Sequence, residues 1–241
     1  MSTVFIDGYF IDYYKNAGVG GENNMRLTSY AMEELECPKC GHKHSLKKYK
    51  VINVTEKAKL KEEVMKNRLF QFTCEECEYM APLTYDSLYV DSQRNFMIYM
   101  APIMNAEIKA DIAELAQEKG VEKRLVDNIN DLKEKVMIAE NHLDDRVIEI
   151  IKIMYIDQMK KEMEDDTLLN ILFDYNRDNY CFLVFFQKKG IGKIPLTREF
   201  YRQVEDKYKD AIKEHSTDGF MKVDMEWAGK ILFKDRKNKL N

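Results

Sequence analysis

Cys37-Pro38-Lys39-Cys40-Gly41 and Cys74-Glu75-Glu76-Cys77 are two C-x-x-C pairs, separated by the 33 residues from Gly41 to Thr73. Two such pairs can bring four sulfurs to the corners of a tetrahedron, the geometry of a structural zinc site. The spacing predicts a zinc ribbon with Cys37, Cys40, Cys74 and Cys77 as ligands of one structural Zn2+. Closing a loop of that length costs about 3 kcal/mol. Structural zinc contributes roughly 10–16 kcal/mol of apparent binding energy, so the metal wins. With all four places filled by thiolates, water has no coordination position, and the site reads as structural rather than catalytic. Four thiolates on a dication carry a formal charge of about −2. Lys39 and Lys43 are placed to offset it, and Gly41 suits the turn that brings backbone amides towards sulfur. His42 and His44 flank the first pair and read as surface or supporting residues, since four sulfurs already suffice.

Outward from the first pair the pattern is β. A short strand should end near Glu36 and a longer one run from about His44 to Val54, with Leu46, Ile52 and Val54 on one face. Thr55 offers a cap for a short helix carrying Leu60 and Val64. Leu69 to Thr73 leads into the second pair and Tyr79 to Thr84 leads out; Tyr89–Val90 and Asn95 to Ala101 are further strands. Helices follow on Ile108, Ile112 and Leu115, on Leu132, Val136 and Ala139 after an Asn128 cap, and on Val147, Ile150, Ile151 and Met154. Arg124 to Val126 reads as a short strand between the first two of them. The last third reads as two apolar strands, Leu168 to Tyr175 and Tyr180 to Gln187, and a third reaching Pro195. A helix capped by Thr197 follows, then a strand over Phe220 to Val223 and a helix capped by Asp224.

The fold class expected is therefore α+β: a zinc-ribbon antiparallel sheet in the N-terminal half, then helices and a C-terminal α+β unit. The division expected is 1–24 as an extension or mistranslated leader, 25–104 as the zinc-ribbon β region, 105–163 as a helical connector, 164–233 as the α+β unit and 234–241 as a basic, unstructured tail. The leader reading rests on Gly20-Gly21-Glu22-Asn23-Asn24 before Met25, which can be encoded by a purine-rich stretch like a ribosome-binding site. Gly18, Gly20 and Gly21 otherwise read as a linker.

A hydrophobic fraction of 45% with 33% charged residues marks a globular chain rather than a disordered one. The longest apolar run, Tyr180 to Phe186, falls far short of the roughly 20 residues of a membrane helix. With no secretory signal visible, the reading places the chain in the cytoplasm, off the membrane. A net charge of −4 disfavours a chain built mainly to coat nucleic acid. A local exception is the lysine-rich segment 43–68, where nine cations from Lys43 to Arg68 face three glutamates beside Tyr49, Phe70 and Phe72. Against it, Glu75, Glu76 and Glu78 put acids beside an anionic metal centre.

No catalytic residue is assigned. Cys181 reads as a small buried hydrophobe, His142 and His215 as solvent-facing, and Asp144-Asp145-Arg146 as a helix start. Gly190-Ile191-Gly192-Lys193 lacks the phosphate-loop spacing and reads as a hairpin, and Tyr175, Tyr180, Tyr201, Tyr208 and Trp227 as core and rim.

Several of these segments together resemble the bacterial CpXC family: Glu36-Cys37-Pro38-Lys39-Cys40-Gly41, Phe72-Thr73-Cys74-Glu75-Glu76-Cys77 and Asn95-Phe96-Met97-Ile98-Tyr99-Met100-Ala101-Pro102. Leu143-Asp144-Asp145-Arg146-Val147-Ile148-Glu149 and Ile194-Pro195-Leu196 extend the likeness to about residues 33–233. Glu75 stands where the family often has proline. The resemblance implies a zinc-binding bacterial protein without established catalytic residues. The expectation is a non-enzymatic protein-interaction or scaffold module with an unidentified protein partner. The alternatives are a zinc-ribbon nucleic-acid binder using segment 43–68 and a C-x-x-C thiol oxidoreductase.

Overall fold

The computed structural model describes residues 2–6, 9–13, 26–160, 166–176 and 179–238, with side chains for 26–160, 166–176 and 179–233. Among these residues it is a mixed α+β structure of six helices and three sheets. The chain divides into two units, Met1–Lys133 with Asp218–Phe220, and Glu134–Thr217 with Met221–Asn241.

The first unit is organised by a seven-stranded sheet. Its strands are β1 (Ser2–Ile6), β2 (Tyr9–Tyr13), β3 (Ser29–Glu36), β4 (Lys43–Asn53), β7 (Ser87–Asp91), β8 (Phe96–Met100) and β9 (Glu122–Val126). β1 and β2 form a hairpin whose Phe10 and Ile11 pair with Tyr30 and Ser29 of β3. The glycine stretch and Met25, on which the linker and leader readings rest, lie outside the described residues.

The sheet corrects the expected antiparallel ribbon in one respect: it is mixed. β4 pairs with β7 in parallel, and so does β8 with β9. Parallel neighbours need a crossover connection, and each chain segment between them supplies one. From β8 to β9 it is helix α2 (Ala106–Leu115). From β4 to β7 it is helix α1 (Lys59–Met65), a 3-10 turn at Arg68–Phe70, and a separate hairpin of β5 (Gln71–Thr73) with β6 (Met80–Pro82). The second C-x-x-C pair sits at the tip of that hairpin, so it belongs to a crossover and not to the main sheet.

Strands β7 and β8 are buried along their whole length. On one face Leu88, Val90, Met97 and Tyr99 pack with Ile108, Ile112 and Leu115 of α2. Alternation sends Ile52, Tyr89 and Ile98 to the other face, all at most 1% exposed. Caps follow the sequence at most helix starts. Asn105 accepts from the Ile108 amide (2.9 Å), and Asn128 from the Asp131 amide (3.0 Å) at helix α3 (Ile129–Glu140). Thr55 is the exception: its hydroxyl accepts from the Ser92 amide at 2.8 Å, and α1 begins after Ala58 without a side-chain cap.

The second unit places helices α4 (Asp145–Lys160), α5 (Arg198–Glu214) and α6 (Met225–Asn238) on one face of the antiparallel sheet β10 (Leu168–Asn176), β11 (Asn179–Phe186) and β12 (Gly190–Leu196). Ile171, Phe173, Tyr180, Phe182 and Val184 face this core with Val147, Ile151, Val204, Tyr208 and Ile231. Gly190 has φ +77°, as the turn into β12 requires. Thr197 caps α5 through the Phe200 amide (3.2 Å), and Asp224 caps α6 through Trp227 (2.9 Å). The expected strand over Phe220 to Val223 does not form; Met221 makes a single bridge, and Phe220 packs edge-on against Tyr99 at 6.1 Å. α6 runs on to Asn238, through most of the stretch expected to be an unstructured tail, and 239–241 lie outside the described residues.

Candidate metal centre

The two C-x-x-C turns have the same build. Each is six residues between paired strand ends, Glu36 with Lys43 and Thr73 with Met80. In the first, the Cys37 amide donates to His42 O and the Gly41 amide to Cys37 O, both at 2.8 Å. In the second, the Cys74 amide donates to Tyr79 O (2.9 Å) and the Glu78 amide to Cys74 O (3.0 Å). The residue after each second cysteine is left-handed, Gly41 at φ +73° and Glu78 at φ +56°. Glycine adopts this freely, whereas a side chain costs roughly 1 kcal/mol there. Glu78→Gly should therefore raise the unfolding free energy of the ribbon by about 1 kcal/mol, read as slower amide exchange over 74–79. Unchanged or faster exchange would show that the Glu78 side chain contributes more than its backbone costs.

The turns face one another and bring all four sulfurs together. Cys37, Cys40, Cys74 and Cys77 have Sγ atoms within 4.8 Å of one another, with Cys37–Cys77 at 3.7 Å and Cys40–Cys74 at 3.6 Å. A tetrahedron of sulfurs about 2.3 Å from a central zinc has edges of about 3.8 Å. The donor set and its dimensions thus fit one metal ion. Cys37 and Cys74 are buried, Cys77 is half-buried and Cys40 is exposed, so the cluster lies at a rim. Only Phe72 is fully buried with the cysteines, among half-buried Leu35, Leu46, Tyr79 and Leu83. So small an apolar cluster offers the ribbon little stability of its own.

The sulfurs are electrostatically unequal. Burial works against the Cys37 thiolate, but the amides of Cys40 and Lys39 and the neighbouring thiols bring it down to about 7. At Cys40 the His42 amide favours the thiolate, yet burial and the surrounding sulfurs outweigh it and push the thiol up to about 12. Four sulfurs this close cannot all ionise without a cation between them.

His44 lies beside the cluster and outside it. Its Nε2 is 3.3 Å from Cys74 Sγ, and its ring meets Phe72 and His42 edge-on at 5.1 and 4.8 Å. Four of the nine cations in the lysine-rich segment pair with acids: Lys48 with Glu33 (2.5 Å), Lys50 with Asp86 (2.8 Å), Lys66 with Glu62 and Arg68 with Glu63 (2.8 Å). Lys47 stands over the Tyr30 ring at 4.3 Å.

Other readings change in detail. Cys181 is half-buried rather than buried and lies on the face of β11 opposite Tyr180 and Phe182. Burial and the Asp174 carboxylate 3.9 Å away both raise its thiol, the reverse of what a nucleophile needs. His142 is exposed, but His215 is half-buried, its Nδ1 2.8 Å from Ala211 O.

Sequence reasoning missed a buried ionic cluster altogether. Glu134, Lys135, Asp145, Glu149 and Lys152 are each 6% exposed or less. Lys152 bridges Glu134 (2.7 Å) and Glu149 (3.0 Å), and Lys135 bridges Glu149 (3.0 Å) and Asp145 (3.2 Å). Glu134 also accepts the Phe173 amide on the free edge of β10. On α4, Asp145, Glu149 and Lys152 lie opposite the stripe of Val147, Ile150, Ile151 and Met154, where a helical wheel assigns solvent, whereas Lys135 of α3 lies beside Leu132 and Ala139.

No curated protein and no solved structure matches the chain. Residues 35–152 match the family described as CpXC protein, a span that takes in both cysteine pairs and ends within α4, short of Ile194-Pro195-Leu196. The chain carries a CpXC family domain over residues 35–152.

Proposed function

We propose that the centre is a closed structural zinc site and that the protein is a non-enzymatic interaction or scaffold module, working in the cytoplasm through a surface the metal holds in place. The observation that carries this is the gathering of four sulfurs within 4.8 Å of one another, a set that among the described residues includes no histidine or carboxylate. Such a shell leaves no position for a substrate or an activated water. When bound, zinc supplies a crosslink. The chain's own residues do the rest: two amide-lined turns present the sulfurs, and the β5–β6 hairpin is tied back to the end of β3–β4.

The nucleic-acid reading is second. The acids opposite Lys48, Lys50, Lys66 and Arg68 reduce the charge available to phosphates, and Glu75 and Glu76 are exposed at the other turn. The oxidoreductase reading wants one active pair, whereas each pair here faces the other. Among the described residues no helix is long and apolar enough to cross a membrane. The test is capture of the tagged chain from its own cells with and without nuclease. A protein partner retained after nuclease and lost on metal chelation supports the interaction module. Material released by nuclease, with binding that falls steeply with salt, would put the nucleic-acid reading in its place.

A further inference from the structure

Charge is unevenly spread around the four sulfurs. The first turn carries Lys39 and is followed by Lys43, while the second carries Glu75, Glu76 and Glu78 and no cation. Of the two buried ligands, Cys74 is thus the one whose own turn offers a filled shell only acidic neighbours. The group that reaches it comes from the other side, from β4: His44 Nε2 stands 3.3 Å from Cys74 Sγ, at a distance normal for a hydrogen bond to sulfur. A metal-bound thiolate has no proton to give, so this nitrogen must carry the hydrogen. The ring is held at that angle by edge-on contacts with Phe72, in the strand entering the second turn, and with His42. His44 is not itself gathered into the ligand set.

We propose that His44 is a positioning residue of the metal centre: its Nε2–H donates to the Cys74 thiolate, offsets part of the charge on the second turn and slows release of the metal from that side. This rests on the zinc reading above. The hydrogen bond crosses from β4, the strand leaving the first cysteine turn, to the second turn, so it acts on the junction that the metal closes. Groups that orient and polarise ligands in this way typically change metal affinity by roughly 10- to 100-fold when removed.

The test uses the full chain loaded with cadmium-113 and, separately, with zinc. In the wild type, a scalar coupling should appear between the cadmium and the ring N–H proton of His44, which only a hydrogen bond to a ligating sulfur transmits. His44→Phe keeps an aromatic edge against Phe72 and removes the donor. It should lose the coupling and bind zinc roughly 10- to 100-fold more weakly, with stoichiometry unchanged. His44→Gln, which keeps an N–H, should recover part of that loss. Cadmium bound by four sulfurs without the coupling, or a His44→Phe variant as tight as the wild type, would overturn the role of His44 and leave the zinc site standing. A wild type that takes up neither metal would overturn both.

Discussion

Cys37→Ser is expected to abolish stoichiometric metal binding and to release amide protection over both cysteine turns, about residues 35–46 and 70–83, while β7 and β8 keep theirs. The size of the effect follows from what else holds the ribbon. In the cluster around the sulfurs only Phe72 is fully buried besides Cys37 and Cys74, and a lone buried side chain contributes roughly 1.5–3 kcal/mol. The metal contributes roughly 10–16 kcal/mol against a closure cost of about 3 kcal/mol. Without it, only the His44 contacts and the small cluster around Phe72 tie the β5–β6 hairpin to the end of β3–β4. The spread of the damage should be limited, because β7 and β8 are buried throughout and their contacts with α2 do not involve the ribbon. Hydrogen exchange with metal analysis measures both halves of this. A Cys37→Ser chain that keeps its metal and its protection would show that the fourth sulfur is dispensable.

The second large effect lies in the other unit. Lys152→Met should destabilise it by about 3–5 kcal/mol, because it removes the ammonium that pairs with buried Glu134 and leaves Glu149 to share Lys135 with Asp145. Trp227, the single tryptophan, packs against that core and reports its unfolding by fluorescence. The pH dependence has a definite sign. Burial works against the Glu149 carboxylate, but Lys135 and Lys152 hold it below the usual range. Its stabilisation is therefore present above the unfolded value of about 4.3 and lost as pH falls through the lower folded one. Burial works against the charged lysines too, yet Glu149 and its neighbours raise both, so their contribution is complete below about pH 10.4 and is lost only above it. Glu134 goes the other way, pushed up chiefly by its burial. In the variant both glutamates should titrate upward, so its deficit should be greatest near neutral pH and shrink towards about pH 4–5 as they take up protons. A deficit below about 1 kcal/mol at neutral pH, or one that grows in acid, would contradict a cluster held by ion pairing.

How much of this could be read from the chain differs by element, for physical reasons. The cysteine turns were legible because metal ligation needs sulfur at fixed spacing, and the helix starts at Asn128, Thr197 and Asp224 because a capping oxygen needs a particular residue type. The parallel pairing of β4 with β7 was not. Val51, Ile52 and Asn53 carry no mark of which strand they will meet, and the second cysteine hairpin intervenes in sequence while standing apart in space. Thr55 was misread because its hydroxyl serves Ser92, a partner far along the chain. The ionic cluster was hidden for the same reason. Lysines are ordinarily solvated, and only when α3 and α4 are brought together do Lys135 and Lys152 each find two carboxylates. In the expected helix face Ala139 stood where the structure buries Ile138, since α3 turns that side to the second core.

Closure of four thiolates around one structural zinc ion is read out by metal analysis and X-ray absorption on the freshly purified native chain. The expected result is one zinc per chain with four sulfur neighbours at about 2.3 Å and no coordinated oxygen or nitrogen. A chain without metal whose thiols pair reversibly on oxidation, or a zinc with fewer than four sulfurs and a bound water, would contradict it.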